Sequence, residues 1–229
     1  GSSNRLMVDL GGQVFKNSSA HTMSLWVRLN EHSSDFKMFY SLGNGVGNPN
    51  GNLKHVNLYH SDNHGLRLSF TQHDYRLGEV VPVGEWVHVA YTYDGTGWQN
   101  DTVLTHVNVY INGKNVGAME SVYQISANSG ALDLTTALLG LGASTKEIGS
   151  NSHQFCDCNI SNFKLYNTVL TADEVKTLYN MGRCDEGHHL VNFSKTRVGI
   201  GLEDGTPGSG VYGGASGTPS SLTIRGNQE

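Results

Sequence analysis

Gly84-Glu-Trp-Val-His-Val-Ala-Tyr-Thr-Tyr-Asp-Gly95 places Val87, Val89, Tyr91 and Tyr93 at every second position, with Trp86, His88, Ala90 and Thr92 between them. Successive side chains of an extended strand point to opposite faces, so this spacing predicts a strand with one face in a core, ended by the Asp94-Gly95 turn. The same period recurs upstream. Met23, Leu25, Val27 and Leu29 alternate with Ser24, Trp26, Arg28 and Asn30, and Met38 to Leu42 predicts a short strand. Leu53 to His60 and Leu66 to Phe70 predict a hairpin closed by the Ser61 to Gly65 turn. Downstream, Val107, Val109 and Ile111 alternate with Asn108 and Tyr110 and run into Asn112-Gly113, which suits a type I′ turn because both residues tolerate positive φ. Leu138 to Gly142 and Ile160 to Tyr166 add two strands, the second with Phe163 and Leu165 on one face.

One segment departs from the period of two. Thr171 followed by Glu174 makes a capping box, Val175, Leu178 and Tyr179 share a helical face, and Gly182 stands where a capping glycine would end the helix. One short helix among many short strands, with 29 glycines and only 15% charged residues in 229, predicts an all-β, antiparallel two-sheet sandwich. The net charge of −5, with no run of Lys or Arg, argues against nucleic acid as partner, since phosphate binding draws on clustered cations. No apolar run approaches the roughly 18 to 20 residues a bilayer span needs, so membrane insertion is not expected.

Ser24-Leu-Trp-Val-Arg28, Gly84 to Gly95, Val107-Asn-Val-Tyr-Ile-Asn-Gly113, Leu139-Gly-Leu-Gly142 and Ile160-Ser-Asn-Phe-Lys-Leu-Tyr-Asn-Thr-Val-Leu-Thr-Ala-Asp-Glu174, in that order, resemble the laminin-G-like branch of the concanavalin A-like lectin and glucanase fold. The resemblance runs from Arg5 to Gly182. It implies a jelly roll of two sheets packed face to face, with recognition on the concave sheet or on loops at one rim, often beside a calcium ion. Many members carry an acidic pair just after the Ile of the late strand. Ser161 and Asn162 stand there instead, so the family's usual calcium site is not expected, and calcium is the one cofactor that the resemblance admits.

The segment after Cys184 is different in kind. From Val198 to Asn227 it carries glycine at 199, 201, 205, 208, 210, 213, 214, 217 and 226 with little apolar content, so it cannot build a core alone. Such a segment orders only against something else, and a partner subunit is expected. Phe193-Ser-Lys-Thr-Arg-Val-Gly-Ile-Gly201 and Leu222-Thr-Ile-Arg-Gly226 are similar to a segment found downstream of lectin-like domains in fibre proteins of large algal viruses and in phage tail fibres. That resemblance implies a homotrimeric fibre or virion-surface protein. The chain therefore divides into a jelly-roll domain over residues 1–184 and a glycine-rich oligomerisation or linker segment over residues 185–229, placed at a virion surface or outside the cell.

Glucanase chemistry needs two carboxylates about 5 Å apart for retaining hydrolysis, and no Glu-x-Asp-x-x-Glu pattern supplies them. Asp173-Glu174 is explained by helix capping, and Asp185-Glu186, being adjacent, point apart if extended. A lyase on this scaffold would use a Tyr, His, Arg and Gln cluster; His55, Tyr59, Arg67, His88 and Tyr110 supply several of these types but no diagnostic spacing. Cys156, Cys158 and Cys184 with His188 and His189 offer zinc-type ligands, yet C-x-C is tighter than the usual C-x₂-C. A disulfide from Cys184 to one of the other two, or three buried thiols, is expected instead.

Ligand contact is predicted on polar loops that carry an aromatic ring, since sugars present an apolar face to a ring and hydroxyls to amides and carboxylates. The loop after Asp94 holds Trp98, Gln99, Asn100 and Asp101; Asp62, Asn63 and His64, with Asn48 and Asn50, extend the set. The alternative for Trp98 is a plug over the sandwich end, while Trp26 and Trp86 are expected in the core. A non-catalytic module binding carbohydrate or glycoprotein on a cell surface follows. A polysaccharide-cleaving enzyme on the same fold, or a virion component binding protein, are the alternatives.

Overall fold

The alternation of apolar side chains organises a sandwich in the computed structural model, which describes residues 6–10, 20–33, 36–43, 55–61, 65–70, 73–78, 81–96, 103–124, 138–144, 155–185, 197–202 and 221–227. In chain order the elements are β1 Leu6–Asp9, β2 His21–Leu29, β3 Lys37–Gly43, β4 His55–Ser61, β5 Gly65–Phe70, β6 His73–Arg76, β7 Trp86–Tyr93, β8 Val103–Ile111, β9 Lys114–Gln124, β10 Leu138–Leu141, β11 Cys158–Tyr166, α1 Ala172–Asp185, β12 Arg197–Leu202 and β13 Ser221–Asn227. Hydrogen bonding runs β1-β10-β3-β4-β5-β6-β9-β8-β7-β2-β11-β13-β12, every ladder antiparallel. The ribbon closes on itself as two facing sheets, with β10, β3, β4 and β5 on one side of the core and β8, β7, β2 and β11, with the tail strands paired to it, on the other.

The core lies between them. Leu25, Val27, Val89, Tyr91 and Val109 from one sheet meet Tyr40, Leu42, Val56, Leu58, Leu68 and Leu139 from the other, and the Tyr40 and Phe163 rings stack across the interface at 5.4 Å. Such burial stabilises by about 25 cal/mol per Å² of apolar surface, which is why the alternating positions rather than the turns carry the fold. His21 also enters this core, with Nε2 3.0 Å from the Tyr91 hydroxyl. Burial holds the Tyr40 and Tyr91 phenols well above their ordinary range.

Two irregularities keep the faces in phase. Counting by twos from Ile160 would send Asn162 and Lys164 inward, yet Phe163 and Leu165 are the buried residues. The ladder with β2 shifts between Ser161 and Lys164, and Asn162 adopts φ 49°, so a bulge inserts one residue and resets the alternation. A second shift between Met38 and Tyr40 lets Phe39 and Tyr40 both join the core while Ser41 stays on the opposite face. The type I′ turn is as expected, with Asn112 at φ 50° and Gly113 at φ 74°. β1, β6 and β9 lie outside the strands that alternation marked.

The helix begins at its capping box: Thr171 Oγ1 accepts from Glu174 N at 3.3 Å while Glu174 Oε2 accepts from Thr171 N at 2.7 Å. Its end corrects an expectation. Gly182 does not cap the helix, which continues to Asp185. Gly182 instead lies against Trp26, where a Cβ would collide with the indole Nε1. Trp26 is buried, but beneath α1 rather than between the sheets, and Trp86 is only half-buried.

The cysteine pairing is corrected as well. Cys156 and Cys158 form a disulfide, with Cα atoms 5.3 Å apart, within bonding reach, and Cys184 is not part of it. In the tail, β13 pairs with β11 and β12 pairs with β13, so both strands extend the second sheet.

Candidate functional site

The sandwich has two outward faces, and α1 covers one of them. β2 and β7 turn Thr22, Ser24 and Trp26, and His88, Ala90 and Thr92, away from the core. Thr22 Oγ1 donates to Thr168 O at 2.8 Å and accepts from Leu170 N at 2.9 Å, which ties the approach to the helix onto β2. Val175 then packs on Ala90 and Tyr110, and Tyr179 stacks on Trp26 at 5.6 Å. His88 Nε2 meets Ser24 Oγ at 2.8 Å, and its ring lies 5.9 Å from that of Tyr179. Burial first, and then the charge of Lys164, lower His88 to about 4, so it is neutral at pH 7. This face is packing.

The other face is polar. Pairing sets Ser41 beside Asn57, Asn57 beside Ser69, Ser69 beside Asp74, and Tyr59 beside Arg67, while Arg67 faces Arg76 and Arg76 faces Glu120. Ser41 Oγ donates to Asn57 Oδ1 at 2.7 Å. Tyr59 OH and Arg67 Nη2 both donate to Asp74 Oδ2, at 3.1 and 3.3 Å. The Arg67 guanidinium carbon sits 5.3 Å from the Phe36 ring centre and 5.4 Å from that of Tyr59, within cation–π range of both. Its Nε is buried with no acceptor among the described residues. Burial first, then the Asp74 charge, push the Tyr59 phenol well above its usual range.

Exposure rises across this face. The Arg67 side chain is 5% exposed, Asp74 24%, Arg76 45% and Glu120 71%, so the polar cluster opens toward the β6–β9 side. Ser41, Ser69, Tyr59 and Arg67 are buried, and beside Arg76 and Glu120 the accessible groups are the preset Asp74 carboxylate and the part-exposed Asn57 amide. Such groups orient a hydroxyl-bearing ligand by hydrogen bonds.

Of the residues considered for a lyase cluster, Tyr59 and Arg67 meet here, whereas His88 and Tyr110 lie under α1 on the opposite side. His55 occupies a β4 position in phase with Asn57 and Tyr59. Trp98, Gln99, Asn100, Asp101, Asp62, Asn63, His64, Asn48 and Asn50 all lie outside the described residues. The base of the Trp98 loop is described. Thr96 N and Oγ1 donate to Asp94 Oδ1 at 2.8 and 2.6 Å, and His106 Nδ1 lies 2.7 Å from Thr96 Oγ1 and 3.2 Å from Asp94 Oδ2. Burial raises the Asp94 carboxyl, but these hydrogen bonds outweigh it and hold the group below its ordinary value.

Asp74, Ser41, Asn57, Ser69 and Phe36 were not legible as site residues. The signal for Asp74 was faint: His73-Asp-Tyr-Arg76, with Tyr75 in the core, is too short a run to show a period. Calcium does not fit the Ser161–Asn162 position, where a buried serine and a bulge residue replace carboxylates. Among the described residues, no three His, Cys, Asp or Glu side chains gather as a metal-ligand set, and no helix is long and apolar enough to cross a membrane.

Two antiparallel sheets with one polar outer face and one helix-covered face define a lectin-type sandwich. Residues 3–176 match the family model described as the concanavalin A-like lectin/glucanases superfamily, and the chain belongs to that superfamily. No curated protein matches the chain. Among solved structures it is similar to the Trypanosoma rangeli sialidase in complex with 2,3-difluorosialic acid, at 15% identity and a TM-score of 0.50, over 72% of this chain and 23% of that one. It is also similar to a heptameric SAP-like pentraxin from Limulus polyphemus, at 14% identity and a TM-score of 0.46, over 77% of this chain and 82% of that one. Domain 4 of an arabinanase from Geobacillus stearothermophilus, in complex with arabinotriose, matches at 20% identity and a TM-score of 0.45, over 76% of this chain and 72% of that one. The chain spans less than a quarter of the sialidase's length, and these likenesses concern fold.

Proposed function

We propose that this chain is a non-catalytic carbohydrate-binding module that recognises glycans or glycoproteins on a cell surface, as the head of a homotrimeric viral fibre or virion-surface protein. The observation that carries the binding reading is the Tyr59–Asp74–Arg67 cluster, preset on an outer sheet face in a superfamily of lectins and glucanases. Trp98, Gln99, Asn100 and Asp101, with Asp62, Asn63 and His64 and with Asn48 and Asn50, are proposed as further ligand contacts on the grounds of their residue types alone. The fibre and trimer parts rest on the likeness of the glycine-rich tail to fibre segments.

A glycan array probed with the whole chain and with Trp98→Ala tests the reading: the chain binds and the folded variant loses signal, while silence across a broad array refutes it. Light scattering at micromolar concentration gives three times the chain mass; a monomer mass contradicts the trimer. A polysaccharide-cleaving enzyme is the second reading, favoured by Tyr59 and Arg67 sharing one face. Against it, the Tyr59 phenol stays protonated at neutral pH and its hydroxyl is already committed to Asp74, so it is not placed to act as a base. New reducing ends or unsaturated products from algal or plant polysaccharide would establish the enzyme.

A further inference from the structure

We infer that Asp74 is the ligand-contacting carboxylate of the polar face and that the ligand is a neutral, hydroxyl-rich saccharide rather than an acidic or sulfated one; this rests on the carbohydrate-binding reading above. Asp74 Oδ2 is committed to Tyr59 OH at 3.1 Å and Arg67 Nη2 at 3.3 Å. The side chain is nevertheless 24% exposed, and Oδ1 has no hydrogen-bond partner among the described residues. An ionised carboxylate only accepts hydrogen bonds, so the group that completes it is a donor, which every sugar hydroxyl supplies.

Charge decides the class of sugar. Arg67 is matched by Asp74 at 3.3 Å, and Arg76 by Glu120 at 3.6 Å, so neither guanidinium on this face is left over. Recognition of a carboxylate or sulfate calls for an accessible, unmatched guanidinium, and here the charge is matched through Nη2 by Asp74 while the group, only 5% exposed, is wedged between Phe36 and Tyr59. An anionic sugar arriving at Asp74 would meet a like charge. A neutral diol finds an oriented acceptor in the part-exposed Asp74 carboxylate. In this scheme Arg67 and Tyr59 are positioning residues that act through Asp74.

The experiment is an array at pH 7 carrying neutral oligosaccharides beside uronate-bearing and sulfated ones, probed with the whole chain, Asp74→Asn and Tyr59→Phe, each checked for fold by circular dichroism. The chain binds neutral spots. Asp74→Asn loses about tenfold on them and gains signal on uronates, because the Arg67 charge is then unmatched. Tyr59→Phe removes one orienting donor with little change in shape, loses about threefold on neutral spots and gains nothing on uronates. A purely structural role for Asp74 would not produce that exchange of preference. Preference of the unmodified chain for acidic glycans, or neutral binding unchanged in either folded variant, overturns this inference and leaves carbohydrate binding standing; no binding to any spot overturns both.

Discussion

The two outer faces of the sandwich begin from the same period of two and end with opposite character. On the β2–β7 face, Ser24, Trp26 and His88 are sealed under α1, and the helix brings its own apolar residue, Val175, to complete a second small core. On the β3–β6 face, Ser41 bonds to Asn57, Tyr59 and Arg67 bond to Asp74, and exposure climbs toward Arg76 and Glu120. Both faces hold buried polar groups. On the first, burial keeps His88 uncharged, although Trp26 Nε1 and His88 Nδ1 have no hydrogen-bond partner among the described residues; on the second a charged pair is retained with a part-exposed carboxylate. Retaining charge near a surface costs desolvation, and a face that keeps it is the one to examine for a ligand.

Substitutions on the sealed face should change stability without changing glycan preference, and the largest effect is expected at its centre. Trp26→Ala removes the ring on which Tyr179 stacks and should cost about 4 kcal/mol in urea denaturation. A loss below about 1 kcal/mol would show that α1 is not held by this contact.

Acid should act on the same face. Folded His88 takes up its proton only near pH 4, whereas its ordinary value is 6.5. Between these the unfolded chain binds more protons, so stability is full above pH 6.5 and falls, by about 3 kcal/mol from this residue, as the pH drops to about 4. Denaturation midpoints from pH 7.5 to 4 check this, and His88→Gln should flatten the slope.

Gly182→Ala sets a collision with Trp26 against the usual helical advantage of alanine, for a net loss of about 2 kcal/mol. If the variant is instead more stable, the close approach of helix and indole is wrong. The smallest effect belongs to the open face. Arg76→Ala breaks a pair whose side chains are 45% and 71% exposed and should shift stability by less than about 0.5 kcal/mol. A larger loss would mean that this edge is structural, and the contrast between the faces would narrow.

Most of the strands were legible because a half-buried strand writes its pattern locally. β2, β4, β5, β7 and β8 each show it over at least two apolar positions, and the capping box and the Asn112-Gly113 turn are single-site signals of the same local kind. β6 escaped because it has four residues, and β9 because Gly117 and Glu120 interrupt its apolar spacing. The candidate site was half legible. Tyr59 and Arg67 could be assigned to the non-core side of their strands, but that Asp74 bonds to both follows from the order β4-β5-β6, which no single strand contains.

The sequence by itself determined the all-β class, the phase of the long strands, the start of the helix and the absence of a paired-carboxylate pattern, because each depends on residues a few positions apart. Only the tertiary structure decided that Gly182 faces an indole instead of ending the helix, that Cys156 joins Cys158, that the bulge at Asn162 returns Phe163 to the core, and which outer face is covered. Apart from the disulfide, whose cysteines are two positions apart, those outcomes depend on contacts between distant segments, where packing and pairing outweigh what a local period can express.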